Sequence, residues 1–160
     1  MSQGHLARAV RRILRVQNLR RSVLTPPQEL VELLERLRPV LTQEELVRVG
    51  SAVDGGYLLP KSALEAALPL FSPGVGPSST FEFEYASLTG ARVFMADPFV
   101  DGPSTEVPSS LFEPIFLGFS VDQDLKSESL NDWLTRHRTP GEEFGLQMDI
   151  EGSEYLAFAG

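Results

Sequence analysis

The stretch LPLFSPGVGPSSTFEFEYASL, residues 68–88, decides the fold. LPLFS is a short continuous apolar run, the kind needed by a strand buried on both faces. PGVGPSS interrupts regular structure, because proline fixes φ and glycine reaches positive φ at little cost. TFEFEYASL reads two ways. FEFEY alternates with the period of a strand, whereas Phe81, Tyr85 and Leu88 recur at helical spacing. The strand and glycine turn ahead of it favour the helix, so the stretch predicts strand, loop, helix.

Downstream the punctuation repeats. ARVFMA reads as a β-branched and aromatic strand ending at Asp97, and PIFLGFS as another, with the loop PFVDGPSTEVPSS between them. Ser129 is placed to cap SLNDWLTRH, whose Leu130, Trp133, Leu134 and His137 share a face, and Thr139, Pro140 and Gly141 stop it. FGLQMDI is a further strand, and EGSEYLAFAG begins a loop and helix. Strands alternating with helices imply parallel pairing, so the expected class is α/β with about four core strands.

Upstream, DGG at 54–56 reads as a tight reversal between LVRV and YLL, giving a β-hairpin, with a short helix at KSALEAAL. Before the hairpin, Thr25 and Gln28 form a capping-box pattern, with Pro26 at the first helical position. Leu30, Leu33, Leu34 and Leu37 form the stripe of that helix, and Pro39 ends it. Residues 5–24 carry six arginines and no acid, and Leu6, Val10, Ile13 and Val16 gather opposite Arg8, Arg11, Arg12 and Arg15. This amphipathic basic helix is either a solvated surface helix or a contact for an anionic membrane or acidic partner. The organisation is therefore a basic helix at 1–24, a helical lead-in at 25–45 and a main domain at 46–160.

The chain has 160 residues, 42% hydrophobic and 22% charged, with a net charge of −8. Residues 1–48 hold nine arginines and five glutamates, a balance of +4, so residues 49–160 carry −12. An acidic body argues against a nucleic-acid surface and for a small neutral or cationic ligand. No cysteine is present, which removes disulfides, thiolate nucleophiles and cysteine-bound metals. Two histidines, His5 and His137, leave little for a histidine-rich metal centre or a Ser/His/Asp triad. No apolar run approaches the roughly 18 residues of a membrane span, and no secretory h-region is visible, so the expected address is the cytoplasm.

In open parallel sheets ligands sit beyond the carboxyl ends of strands, which makes the polar residues there informative. Ser72, Gly74 and Gly76 follow the first strand, where glycines let a backbone approach a ligand. Asp97 ends the next strand about 20 residues later, where a carboxylate can accept hydrogen bonds from both hydroxyls of a ribose. Asp149 ends the last strand, with Glu151 two residues on. Each has a plainer reading: a tight turn for the glycines, a turn initiator for Asp97, helix caps for Asp149 and Glu151. A dinucleotide site wants free amides for its pyrophosphate, and Pro77 brings none, which counts against NAD. A ligand with adenosine, no phosphate and a sulfonium charge, S-adenosylmethionine, suits acids at strand ends better. Two carboxylates this close in sequence are too few to claim a metal.

The succession RVGSAVDGGYLLP, SPGVGPSSTFEFEYA, VFMADP, FLGFS, SLNDWL and LQMDIEGSEY resembles the FkbM-type S-adenosylmethionine-dependent methyltransferases over about residues 46–160. The MDIEG-x-E and R-x-G-x(3)-DGGY strings are its most specific parts. The resemblance implies a Rossmann-like, class I methyltransferase sheet that methylates hydroxyl oxygens of small molecules or sugars. It assigns Ser72, Gly74 and Gly76 to the cofactor loop and Asp97 with Pro98 to the ribose-binding strand end. Asp149 and Glu151 fall near the transferred methyl group, Asp149 being the first candidate for the base. Arg48, Asp54 and Tyr57 match an opening motif that shapes the pocket. Pro77 departs from the family pattern, and because the resemblance implies a seven-stranded sheet while the sequence given ends at Gly160, the sheet is expected to be incomplete: a fragment of a longer reading frame or a truncated relative. The alternatives are an NAD-dependent oxidoreductase on a similar scaffold and a non-catalytic truncated binding module. His137, on the apolar face of its helix, reads as a core or helix-end histidine before it reads as a base.

Overall fold

A computed structural model describes residues 26–118, 126–150 and 152–158. The basic segment at 1–24, Thr25 and Glu151 lie outside the described residues. The chain divides into two compact units, Met1–Thr42 and Gln43–Gly160. In the first, helix α1 spans Pro27–Arg36, with Pro26 as its N-cap. The helix therefore starts one residue later than the sequence suggests: Pro26 holds the extended dihedrals of a cap, and Pro27, whose missing N–H costs nothing in the first turn, opens the helix. None of its residues is buried.

The second unit begins with the expected hairpin, β1 (Leu46–Gly50) antiparallel to β2 (Gly56–Pro60), with Val49 opposite Tyr57. Gly55 turns it with φ +74, and the Arg48 guanidinium braces the turn by donating to the carbonyls of Ser51 and Val53. Helix α2 (Lys61–Glu65) leads to β3 (Leu70–Pro73), α3 (Thr80–Thr89) and β4 (Val93–Ala96). Then follow β5 (Ser110–Glu113), β6 (Phe116–Leu117), β7 (Ser127–Glu128), α4 (Leu130–His137), β8 (Gly145–Leu146) and α5 (Glu154–Ala157).

Strands β5, β4, β3 and β8 form a parallel four-stranded sheet in that order. The chain steps outward from β3 to β4 to β5 and then returns to the opposite side of β3. The order thus reverses between β3 and β8, where a crevice opens at the carboxyl ends. Backbone bonds from Gln147 N–H to the Phe71 carbonyl and from Asp149 N–H to the Pro73 carbonyl prolong the β8 pairing up to that point.

Alternation along the strands sorts the core into two layers. Leu70, Val93 and Met95 pack with Phe81 and Tyr85 of α3 and Val49 of the hairpin. Phe71, Phe94 and Ala96 pack with Leu130 and Trp133 of α4, and Phe71 stacks on Phe94 with ring centroids 4.7 Å apart. Apolar side chains at every position of β4, and at every position but Ser72 of β3, are what strands covered on both faces require. The helical reading of TFEFEYASL is borne out, although Leu88 is 58% exposed and the buried stripe runs through Phe81, Glu82, Tyr85 and Ala86.

One strand is corrected. The sheet takes SLFE, not PIFLGFS; among the described residues of the latter, Phe116–Leu117 pairs with Ser127–Glu128 in a separate two-stranded sheet. The edge position leaves Leu111 partly in solvent, so a polar-looking segment suffices there. Ile115 and Leu117 are apolar because they join the cluster containing Leu130 and Trp133. Ser129 caps α4 as expected, accepting the Asp132 N–H at 3.0 Å.

Candidate functional site

Two adjoining cavities occupy the carboxyl ends of β3, β4 and β8. The first, about 220 Å³, is walled mainly by apolar side chains including Pro98, Ile115, Leu117 and Ile150. The second, about 430 Å³, reaches Asp54 and Tyr57 of the hairpin, the loop Val75–Ser78, Glu82 of α3, and Gln147. Gly74, Asp97, Phe99 and Asp149 line both, so the cavities meet at the switch in strand order.

Gly74 is fixed by that junction. Its φ is +86, and a Cβ there would run into the backbone carbonyl of Asp149. The close approach that the glycine permits is between two protein backbones, which holds Asp149 against the loop. Gly76 also has positive φ, but its open side faces nothing within 4 Å.

Asp97 is buried and accepts the Gly76 N–H at 2.9 Å through Oδ2 and the Phe99 N–H at 2.7 Å through Oδ1. It ties the glycine loop to the segment after β4. An ionised carboxylate offers about four acceptor positions, so two remain. Asp149 uses its main chain in the sheet; among the described residues, no hydrogen bond engages its carboxylate.

The other sequence-derived candidates separate. Pro98 lines the apolar cavity, while Asp54 and Tyr57 line the polar one. Arg48 lines neither; it shapes the site only by bracing the hairpin turn that carries Asp54. Ser72 is fully buried behind the cavity wall, its Oγ 2.6 Å from Glu82 Oε1 and 2.7 Å from Gln147 Oε1. The glycine loop's own amides are largely engaged: Gly76 N–H by Asp97, Ser79 N–H by Ser104 Oγ, with Pro77 lacking one.

Glu82 was missed by sequence reasoning. It is 4% exposed, and its Oε2 has no hydrogen-bond partner. Burial pushes its carboxyl above the usual carboxylate range, against the lowering effect of the Ser72 hydrogen bond. A signal existed: read as a helix, residues 81, 82, 85 and 86 form one face, and an acid on an otherwise apolar face is anomalous. Gln147 Nε2 also lies 3.0 Å from Tyr57 Oη, so one chain of contacts joins Glu82, Ser72, Gln147 and Tyr57. Burial, then the charge of Asp149, raises the Tyr57 phenol above its ordinary value.

His137 lies away from both cavities. Its Nε2 is 2.7 Å from Glu113 Oε2, and its ring stacks on Phe94. The same Oε2 accepts the Trp133 indole N–H, and Oε1 accepts from Arg136. Burial alone would raise Glu113, but the donors Arg136, Trp133 and His137 outweigh it and hold the carboxyl below its usual range.

Among the described residues no three acids or histidines converge as metal ligands, and no helix is long and apolar enough to cross a membrane. No family model, curated protein or solved structure matches the chain.

Proposed function

We propose that residues 43–160 form a Rossmann-like, class I methyltransferase domain that uses S-adenosylmethionine to methylate a hydroxyl oxygen of a small molecule or sugar. The observation that carries this reading is the junction of Gly74, Asp97 and Asp149 at the reversal of strand order, with an apolar cavity on one side and an acid-lined one on the other. A flat base suits the first cavity, where the Phe99 ring stands 77% exposed at the mouth. The two unused acceptor positions of Asp97 suit ribose hydroxyls. When bound, the cofactor supplies an electrophilic methyl carbon on a sulfonium.

Asp149 then has two tasks. Its charge attracts the sulfonium, and its unengaged carboxylate can take the proton of an acceptor hydroxyl as that oxygen bonds to the methyl carbon and the carbon–sulfur bond breaks. The resemblance to FkbM-type enzymes supports this choice, and Glu151 remains the second candidate. The NAD reading is weaker: the Gly74, Gly76 and Ser79 amides of the loop already have partners, Pro77 has none to offer, and acids line the site.

Calorimetric titration of the full chain with S-adenosylmethionine, S-adenosylhomocysteine and NAD tests the proposal, followed by transfer of labelled methyl to a panel of hydroxyl acceptors. Binding of both adenosyl ligands and not of NAD is expected. Tight NAD binding with no response to S-adenosylhomocysteine would end it.

A further inference from the structure

The polar cavity is lined by Asp54, Glu82, Asp97 and Asp149 and by no lysine, arginine or histidine among the described residues. An acid cluster alone identifies nothing. Glu82 adds an independent observation, because one of its oxygens is buried in the wall of this cavity without any partner. A charged oxygen in that state is costly, whereas a neutral carboxylic acid is tolerated.

Counting protons leads to the same state. Ser72 has one hydroxyl hydrogen and two acceptor oxygens within reach, Glu82 Oε1 and Gln147 Oε1. With the Gln147 amide turned so that Nε2 meets Tyr57, Ser72 donates to Gln147, and the short contact to Glu82 is a hydrogen bond only if Glu82 donates it. The chain then runs Glu82, Ser72, Gln147, Tyr57, leaving the Tyr57 O–H free to donate elsewhere. Ionising Glu82 reverses it: Ser72 donates to Glu82, the amide turns over, and Tyr57 donates to Gln147. The direction of four side chains is thus set by one proton.

We propose that Glu82 is the cation-reading carboxyl of this cavity, protonated while no cation is present and giving its proton to solvent when a cationic ligand group enters. The O–H bond of the acid breaks, the proton leaves to the buffer, and the carboxylate pairs with the incoming charge. The class of ligand is one carrying an ammonium or sulfonium; the inference rests on the cofactor reading only for the identity of that cation.

The ionisable groups that share the cavity with Glu82 are Tyr57 and Asp54 of the hairpin and Asp97 and Asp149 at the strand ends, and none of them carries a positive charge. The cations on neighbouring elements are committed elsewhere: Arg48 to the carbonyls of Ser51 and Val53, Lys61 to Glu45. Glu84, on the same helix, is taken by the Gly50 N–H. Among the described residues no uncommitted cation lines this cavity, and a cationic ligand would supply the missing positive charge.

Titration calorimetry of the full chain with S-adenosylmethionine near neutral pH, repeated in buffers of different ionisation heat, reads the coupling. About one proton released per ligand is expected, and E82Q should bind about tenfold more weakly and release none. Glutamine keeps the donor to Ser72 and so mimics the neutral acid. Binding without buffer dependence, or release that persists in E82Q, would overturn the proposal. If S-adenosylmethionine does not bind at all, the cofactor reading fails, and the ligand-free protein still decides the matter. The carbon-13 carboxyl signal missing from E82Q should keep the shift of a neutral acid near neutral pH; titration together with the surface glutamates would reject the inference.

Discussion

Two carboxyl groups on opposite sides of the sheet show how burial is put to different uses. Glu113, at the end of β5, receives hydrogen bonds from Trp133, Arg136 and His137, and Arg136 is held in turn by Glu128. Its charge is fully answered inside the protein, which fastens α4 to the sheet. Glu82, on α3, is more deeply buried, yet it has one hydroxyl contact and an orphan oxygen beside a cavity. The first arrangement is finished, and the second awaits something from outside. Donor count, rather than depth of burial, separates a structural carboxyl from one turned toward a ligand.

The largest expected effect belongs to the cavity side. Asp149→Asn removes the proposed base while keeping its shape, and methyl transfer should fall about 10²- to 10⁴-fold with a far smaller change in cofactor affinity and none in thermal midpoint. An unchanged rate would take Asp149 out of the chemistry and weaken the contrast between the two sides.

Next in size is the structural knot. Glu113→Gln strips the charge from three donors and should cost about 2 kcal/mol in urea unfolding, with cofactor binding intact. The two acids should also give opposite pH slopes. Glu113 titrates lower in the folded chain than in the unfolded one. Its contribution is therefore complete above the ordinary carboxylate range and is lost as pH falls through the folded value, where wild type and variant converge. Glu82 titrates higher when folded. Its contribution is present below the unfolded value and lost as pH rises through the folded one, so E82Q should gain on wild type toward alkaline pH. Parallel slopes for the two variants would break the comparison.

The smallest effect calibrates the others. Arg92 and Glu142 form an exposed pair at 3.2 Å, and Glu142→Gln should cost under about 0.5 kcal/mol and lose even that in high salt.

Much of this is legible in the sequence. Ser129 announced the start of α4 because a hydroxyl before an apolar-periodic run has one obvious task, and DGG announced the hairpin for a similar local reason. TFEFEYASL was resolved as a helix by its neighbours, not by its own ambiguous period. The third strand is not legible from apolarity, because apolar residues in that stretch serve the core rather than the sheet. Ile115 and Leu117 owe theirs to the layer shared with Leu130 and Trp133, and the edge strand SLFE needs little.

The candidate site divides along the same line. Asp97 and Asp149 could be named because strand ends are recognisable, whereas the roles of Ser72 and Gly74 depended on what the fold brought beside them: Glu82 and Gln147 for the first, the Asp149 carbonyl for the second. Glu82 looked like the polar half of an alternating FEFEY. Local propensity, turn chemistry and charge balance act between residues close in the chain, so the sequence alone settled the α/β class, the positions of most helices and strands, and the acidic character of the candidate site. Which carboxyl would be answered and which left open depends on partners from other elements, at 113 and 133 or at 72 and 147, and only the folded chain brings those partners together.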